Sequence, residues 1–142
     1  MSKVIIVYWS GTGNTEKVAE LIAKGATDKG ASVTCKVVGD ASVAELADYD
    51  VVAFGSPSMG VETIEEAEME PFFTEAAPKL GGKKVAIFGS YGWGDGEWLR
   101  TWADRVREAG AQLIGEGLAV HETPDDASSA ECIAYGERLA SV

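Results

Sequence analysis

The stretch that decides the fold of this chain spans residues 4–15 and reads VIIVYWSGTGNT. Its first half is a short apolar run rich in β-branched residues, which predicts a buried strand. Small, hydroxyl and amide side chains follow, and a helical pattern begins near Glu16. This order of strand, loop and helix is typical of a phosphate site, because backbone N–H groups and a helix N-terminus point to one place. The candidate phosphate-binding residues are Ser10, Gly11, Thr12, Gly13, Asn14 and Thr15.

Two familiar kinds of phosphate loop are excluded by the same residues. The loop contains no Lys, which the phosphate-binding loop of NTPases requires. Glu16 stands where the dinucleotide-binding fingerprint requires a third Gly. A loop without positive charge suits a phosphate monoester that is held in place and not transferred. The alternative that stays open is a glycine-rich turn that binds nothing.

Composition and charge limit the classes of function. The 142 residues predict a single domain, 1–142, and the net charge of −11 disfavours nucleic acid and anionic membranes as partners. A partner with a basic docking face is favoured instead. No apolar run approaches the ~20 residues of a membrane span, and no leader precedes the first strand, so we expect a cytoplasmic protein. Cys35, Cys132 and His121 are too few and too scattered to predict a disulfide, a metal site or a hydrolytic triad.

Apolar runs alternate with helical patterns along the whole chain. The predicted strands are residues 3–9, 32–38, 50–55, 84–89 and 112–120. The predicted helices are 15–29, 43–47, an acidic helical stretch, a helix that begins or continues at Pro71 and ends before Gly81, 98–109, and a last helix capped by Thr123 with Pro124 in its first turn. Such alternation predicts a parallel sheet with helices on both faces. In that architecture, ligands bind at the carboxyl ends of the strands.

Two further loops leave carboxyl ends of predicted strands. Met59 and Trp93 lie in the middle of these loops. Their side chains either pack into the core or contact a ligand, and the mid-loop position makes core packing the weaker explanation. A phosphate together with flat apolar surfaces indicates a ligand with a planar aromatic end, held between Trp93 and Met59. Trp98 is also interpreted as packing at the start of a helix. The candidate residues are Ser56, Pro57, Ser58, Met59, Gly60, Val61 and Glu62 in one loop, and Ser90, Tyr91, Gly92, Trp93, Gly94, Gly96, Glu97 and Trp98 in the other.

Three motifs resemble the FMN-binding loops of flavodoxins. They are YWSGTGNT at 8–15, SMG at 58–60 and FGSYGWGDG at 88–96. The chain as a whole is similar to the short-chain flavodoxins of anaerobic bacteria. The resemblance implies a three-layer αβα sandwich with a five-stranded parallel sheet in the order 2-1-3-4-5 and an uninterrupted fifth strand. It also implies a monomeric electron carrier without substrate turnover of its own. The carrier would transfer single electrons at low potential on a non-covalently bound FMN that passes through a neutral semiquinone.

The resemblance also assigns roles to individual residues. Residues 10–15 would bind the phosphate, Met59 and Trp93 would enclose the ring, Glu62 would bind the flavin N3–H, and residues 90–97 would line the ring and the ribityl chain. The Gly60 peptide would rotate so that its carbonyl accepts a hydrogen bond from N5–H. At the position of Val61, the flavodoxin family is expected to have a small or acidic residue. Because the Val61 side chain is β-branched and stiff, we expect it to hinder that rotation.

An acidic run follows the second loop and comprises Glu62, Glu65, Glu66, Glu68 and Glu70. With the phosphate, these charges are expected to disfavour the anionic, fully reduced flavin. They are also expected to steer basic redox partners such as reductases and ferredoxin-dependent oxidoreductases. The alternative is an ordinary solvated face of an acidic helix.

Two other functions fit parts of the pattern. An FMN-dependent quinone or flavin reductase would need a nicotinamide or quinone pocket beside the ring, and the chain is short for one. A receiver module shares this order of strands but needs an acidic metal-binding cluster after the first strand. Tyr8 and Trp9 stand near that point instead.

Overall fold

A computed structural model describes residues 2–59 and 62–142. None of the helices in those two ranges is both long and apolar enough to cross a bilayer. In chain order, the elements are β1 (Lys3–Tyr8), α1 (Asn14–Asp28), β2 (Ser32–Val37), β3 (Val51–Gly55), α2 (Met69–Ala76), β4 (Lys84–Tyr91), α3 (Glu97–Glu108), β5 (Gln112–Leu113), β6 (Leu118–His121) and α4 (Asp126–Ser141). Single 3₁₀ turns occupy Val38–Asp40, Ala44–Asp48 and Ala77–Lys79.

All strands of the sheet run parallel, in the order β2-β1-β3-β4, with β5 and β6 both pairing with β4. This confirms the predicted order 2-1-3-4-5, in which β5 and β6 together fill the fifth position. Strand β1 is central and Val4 to Val7 are fully buried, whereas β2 is a half-exposed edge strand, as its alternating sequence predicts.

Two apolar layers cover the two faces of the sheet. Ile5 and Val7 point to one face, where they join a cluster that includes Phe73 of α2 and Trp102 of α3. The remaining apolar residues of β1 point to the other face and pack against α1 and α4. The predicted three-layer sandwich is therefore confirmed, and the alternation of side chains along β1 builds both of its interfaces.

The prediction of an uninterrupted fifth strand is wrong. Strand β5 ends at Leu113 and β6 begins at Leu118, with a turn at Gly115 and Glu116 between them. Gly115 and Gly117 adopt positive φ angles of 66° and 91°, which a continuous strand does not allow. Between β5 and β6, the chain contains two more residues than β4 has between the residues that pair with them. β5 and β6 therefore share one strand position of the sheet, and the extra residues form a bulge between them.

The predicted acidic helix after the second loop is also wrong in its first part. Helix α2 begins only at Met69, and residues 62–68 before it form turns and the bridge at Thr63. The reason is Glu65, whose buried carboxylate accepts hydrogen bonds from the N–H groups of Ala67, Glu68 and Met69 at 2.7–2.9 Å. A carboxylate at a helix start satisfies the free N–H groups there, so it fixes where α2 begins.

The predicted cap of the last helix is displaced by two residues. The N-cap is Asp125, whose carboxylate accepts from the N–H of Ser128 at 2.8 Å, while Ser128 Oγ accepts from the N–H of Asp125 at 2.9 Å. These hydrogen bonds hold the pKa of Asp125 below its usual range. Thr123 and Pro124 precede the cap, which leaves Thr123 available for a contact with the first loop.

Helices α1 and α4 approach each other closely because each has a glycine at the crossing. A Cβ built on Gly25 would lie 2.0 Å from the carbonyl oxygen of Ile133, and one built on Gly136 would lie 2.0 Å from that of Ile22. Both contacts are with backbone, which cannot move without separating the helices.

We expect Gly136→Ala to destabilise the protein by about 2 kcal/mol, because the cost of overpacking exceeds the higher helix propensity of Ala. Glu131→Ala, at an exposed site on the same helix, is the matched control and should change the free energy of unfolding by under ~0.5 kcal/mol. Denaturant unfolding followed by circular dichroism measures both values. Equal stability of the two variants would contradict the close approach.

Candidate functional site

The first loop presents a set of backbone donors at the start of α1. Gly13 adopts a φ of 95° immediately before the helix, a conformation that favours Gly. Ser10 Oγ accepts from the N–H groups of Gly13 and Glu16 at 3.1 and 3.3 Å. Within residues 2–59 and 62–142, the N–H groups of Gly11, Thr12, Asn14 and Thr15 have no acceptor. Unpaired N–H groups at a helix N-terminus form a binding site for an anion.

Side chains from later in the chain fix this loop. Thr15 Oγ1 and Ser90 Oγ lie 2.7 Å apart and are buried, which ties the loop to the end of β4. Thr123 Oγ1 donates to Asn14 Oδ1 at 2.8 Å, so the Asn14 amide N–H groups are left to donate. This role of Thr123 cannot be predicted from the sequence, since no local pattern relates residues 109 positions apart.

Trp9 covers the first loop from the side of the acidic segment. A Cβ on Gly11 would lie 2.9 Å from the Trp9 ring, and Trp9 Nε1 donates to Glu68 Oε1 at 3.2 Å. Only a glycine therefore allows the ring to lie so close to the loop. The sequence left open what this tryptophan does, and the structure places it in the wall of the site.

The second loop is supported from below by buried groups. Ser56 is fully buried, and its N–H donates to Phe88 O at 3.1 Å. Trp98 is 1% exposed and donates from Nε1 to Ser56 O at 3.1 Å. The structure thus places Ser56 and Trp98 beneath the loop and not at its surface, and the packing interpretation of Trp98 is confirmed. Further along, the Ser58 N–H donates to Ser90 O at 2.9 Å.

The second loop then folds back on itself. Met59 and Thr63 exchange two backbone hydrogen bonds of 2.8 and 3.0 Å. Glu62 has a φ of 57°, which is uncommon for a residue with a side chain. Such strain is found where a function needs the conformation. Gly60 and Val61 lie outside the described residues, so the rotation of the Gly60 peptide and the effect of Val61 stay predictions.

The Glu62 carboxylate lies against the third loop. A Cβ on Gly94 would lie 2.4 Å from Glu62 Oε1, and Gly94 has a φ of 84°, so both its space and its backbone require Gly. Oε1 is buried and, within the described part of the chain, receives no hydrogen bond. A buried acceptor without a donor fits a ligand that brings an N–H group to this place.

The third loop is anchored at both ends and open in the middle. The Tyr91 ring packs against Trp98 and His121, with centroid distances of 5.5 and 5.1 Å. Gly96 begins α3 with a φ of 90°, and Glu97 is the first residue of that helix. Between these ends, Trp93 is 63% exposed. So large an exposed aromatic side chain is unusual in a protein surface and is available to a ligand.

Residues of all three loops line one cavity of about 300 Å³ at the carboxyl edge of the sheet. The described lining does not include Glu62, Trp93 or Gly94, whereas Trp9 and Glu122 belong to it without being predicted from the sequence. A larger cavity, about 700 Å³, lies at the opposite edge between residues 43–50 and 79–84. The lining of the smaller one is Trp9, Gly11, Thr12, Asn14, Thr15, Pro57, Ser58, Met59, Ser90, Tyr91, Gly92 and Glu122.

The acidic run is less uniform than its sequence implies. Glu65 is buried and hydrogen-bonded to backbone. Glu70 pairs with Arg105 through two hydrogen bonds of 2.8 and 2.6 Å, and these hold the pKa of Glu70 below its usual range. The five carboxylates of the run therefore have different surroundings. Glu66 and Glu68 remain exposed, and Glu62 is partly buried.

Comparison with known proteins gives one consistent family. The family model described as flavodoxin matches residues 6–136. The flavodoxin of Clostridium beijerinckii is 47% identical over 137 residues, covering 96% of this chain and 99% of that protein. The flavodoxin of Megasphaera elsdenii is 49% identical over 137 residues, covering 96% and 98%.

Solved structures agree with these sequence matches. The solution structure of two-electron reduced Megasphaera elsdenii flavodoxin superposes with a TM-score of 0.90 at 48% identity and covers 98% of this chain and 99% of that one. A flavodoxin from the domain Archaea superposes with the same TM-score at 33% identity, covering 98% and 96%.

Proposed function

We propose, from the premise that this chain belongs to the flavodoxin family and is an electron carrier that binds FMN, that its three loops divide the work of holding that cofactor. Residues 10–15 bind the phosphate, residues 57–62 and 90–97 hold the ring, and Ser56 and Trp98 support the second loop from beneath. The observation that carries the proposal is the shared cavity, one end of which is a set of uncharged N–H donors. Residues 1–142 act as one domain in this proposal.

The phosphate end works by backbone geometry. Ser10 takes two of the N–H groups at the start of α1, and four others remain to donate to phosphate oxygens. Asn14, oriented by Thr123, adds side-chain donors. A dianion held only by neutral donors and a helix terminus keeps most of its charge, and that charge acts on the neighbouring ring.

The ring end combines apolar cover with one fixed acceptor. Bound FMN supplies the one-electron chemistry. Trp93 and Met59 cover the ring, which removes an exposed aromatic side chain from water. Glu62 Oε1, the buried acceptor against Gly94, accepts from the ring N3–H. Trp98 and Ser56 act indirectly by supporting the second loop.

Partners are proposed from the charges around this site. Glu66, Asp95, Glu97 and Glu122 are exposed near the three loops, so the face fits redox proteins with basic docking surfaces, such as reductases and ferredoxin-dependent oxidoreductases. The carrier works as a monomer and without substrate turnover of its own. Its location is the cytoplasm, which accords with the free thiols of Cys35 and Cys132.

The affinity for FMN should exceed the affinity for riboflavin by about 100-fold or more, because two charge-assisted hydrogen bonds to phosphate already provide that ratio. Quenching of flavin fluorescence during titration of the apoprotein measures both dissociation constants. Equal affinities would contradict the role of residues 10–15. In the same preparation, steady oxidation of NADH or NADPH by the loaded protein alone would favour the reductase alternative.

Thr12→Lys should raise the potential of the second reduction step by on the order of 20–70 mV, since an ammonium group in the loop offsets the phosphate charge. Thr27→Lys places the same charge at the far end of α1 and serves as the matched control. A spectroscopic redox titration gives both potentials. Identical shifts in the two variants would show that net charge matters and position does not.

Electron transfer from the reduced protein to a basic c-type cytochrome should slow severalfold between about 10 mM and 200 mM salt, because screening weakens the attraction of opposite charges. Glu66→Gln should reduce this dependence, and Glu131→Gln, exposed on α4, should not. Stopped-flow rates with a neutral quinone as acceptor provide the reference. A rate that increases with salt would refute an acidic docking face.

A further inference from the structure

A small cavity lies beside the Glu62 carboxylate, between the second loop and helices α2 and α3. Its volume is about 70 Å³, and Glu62 and Trp102 both line it. Among the described residues, two buried side-chain atoms lack a hydrogen-bond partner, Glu62 Oε1 and Trp102 Nε1. One atom is an acceptor and the other can only donate. The two residues that bear these complementary unpaired groups therefore line one small space.

The indole of Trp102 is held in a fixed orientation. The residue is 1% exposed, and its ring packs against Phe54 and Phe73 with centroid distances of 6.3 and 5.8 Å. Rotation of the ring would disrupt this aromatic cluster. A buried N–H that cannot turn away is costly to leave unpaired, so such groups are almost always bonded to protein or to ordered water.

We propose that an ordered water in this cavity accepts a hydrogen bond from Trp102 Nε1 and donates one to Glu62 Oε1, which makes Trp102 a positioning residue for the carboxylate. The volume suffices for one or two waters, and polar groups line it on both sides. A polar contact too long for a direct bond is commonly bridged in this way. The inference rests on the proposed role of Glu62 as the acceptor for the flavin ring.

The surroundings of Glu62 explain why such a link is needed. Its backbone has the strained φ of 57°, and the described part of the loop gives its carboxylate no donor. The nearby Glu70 and Arg105 also line the cavity and pair with each other through two hydrogen bonds. Since a carboxylate oxygen has two lone pairs, Oε1 can accept from the water and from the ring together.

A direct test detects the water in the ¹⁵N-labelled protein. The chain has four Trp, and the indole signal that disappears in Trp102→Phe identifies Trp102. This indole proton should show a cross-relaxation signal to long-lived water, and Glu62→Ala should abolish that signal. The measurement is made on the apoprotein and on the FMN-loaded protein. A missing signal in both wild-type forms overturns the proposal.

A functional test uses a double-mutant cycle on FMN affinity. Trp102→Phe keeps the aromatic packing and removes the N–H, and it should weaken FMN binding about fivefold in the wild-type background. In the Glu62→Ala background, the same substitution should change the dissociation constant by less than about 1.5-fold. Equal effects in both backgrounds would show that Trp102 does not act through Glu62, and the proposal would then be wrong.

Tyr135→Phe is the matched control, since it removes a buried hydrogen bond of 2.8 Å to Ile114 O, on the other face of the sheet. It should lower stability and leave FMN affinity unchanged, which separates positioning from a general loss of structure. Failure of the wild-type protein to bind FMN would refute the proposed function. The indole-to-water signal of the apoprotein would still decide whether the water is present.

Discussion

The site depends on how Ser10 uses its hydroxyl oxygen. By accepting from Gly13 and Glu16, Ser10 Oγ satisfies two donors and holds the loop against the start of α1. The remaining N–H groups of the loop stay available to an anion at the helix N-terminus. In the proposed function, a backbone that donates without positive side chains would hold the phosphate and leave its charge largely uncompensated. That residual charge is a property a carrier of electrons can use, because it opposes further negative charge on the ring.

The acidic segment between the second loop and α2 serves two purposes that its composition does not distinguish. Glu65 and Glu70 are structural, since one caps α2 and the other pairs with Arg105. Glu66 and Glu68 face solvent and contribute to the field that partners meet. The sequence presents one run of like charges, and the fold separates it into internal supports and an external surface.

Much of this fold and site could be predicted from sequence because the signals were local. The apolar run of β1, the loop at 10–15 and the glycines around Trp93 each identify an element within a dozen residues. The predictions that failed concern features that depend on contacts between residues far apart in the sequence or on small shifts in strand register. The local pattern predicts Thr123 as the cap of the last helix, whereas its side chain contacts Asn14, 109 positions away. The bulge at Gly115 depends on pairing with β4, which the periodicity of residues 112–120 does not reveal.

The strain at Glu62 connects these observations. A residue held at positive φ must be kept there by its surroundings, and three separate elements contribute. The hydrogen bonds between Met59 and Thr63 close the segment, Gly94 leaves space for the carboxylate, and Trp102 faces the same small cavity from α3. Glu62 thus lies next to the aromatic core that α2 and α3 share with the sheet. Packing in that core consequently supports the segment that carries Glu62, since Ile64 of that segment is itself buried in it.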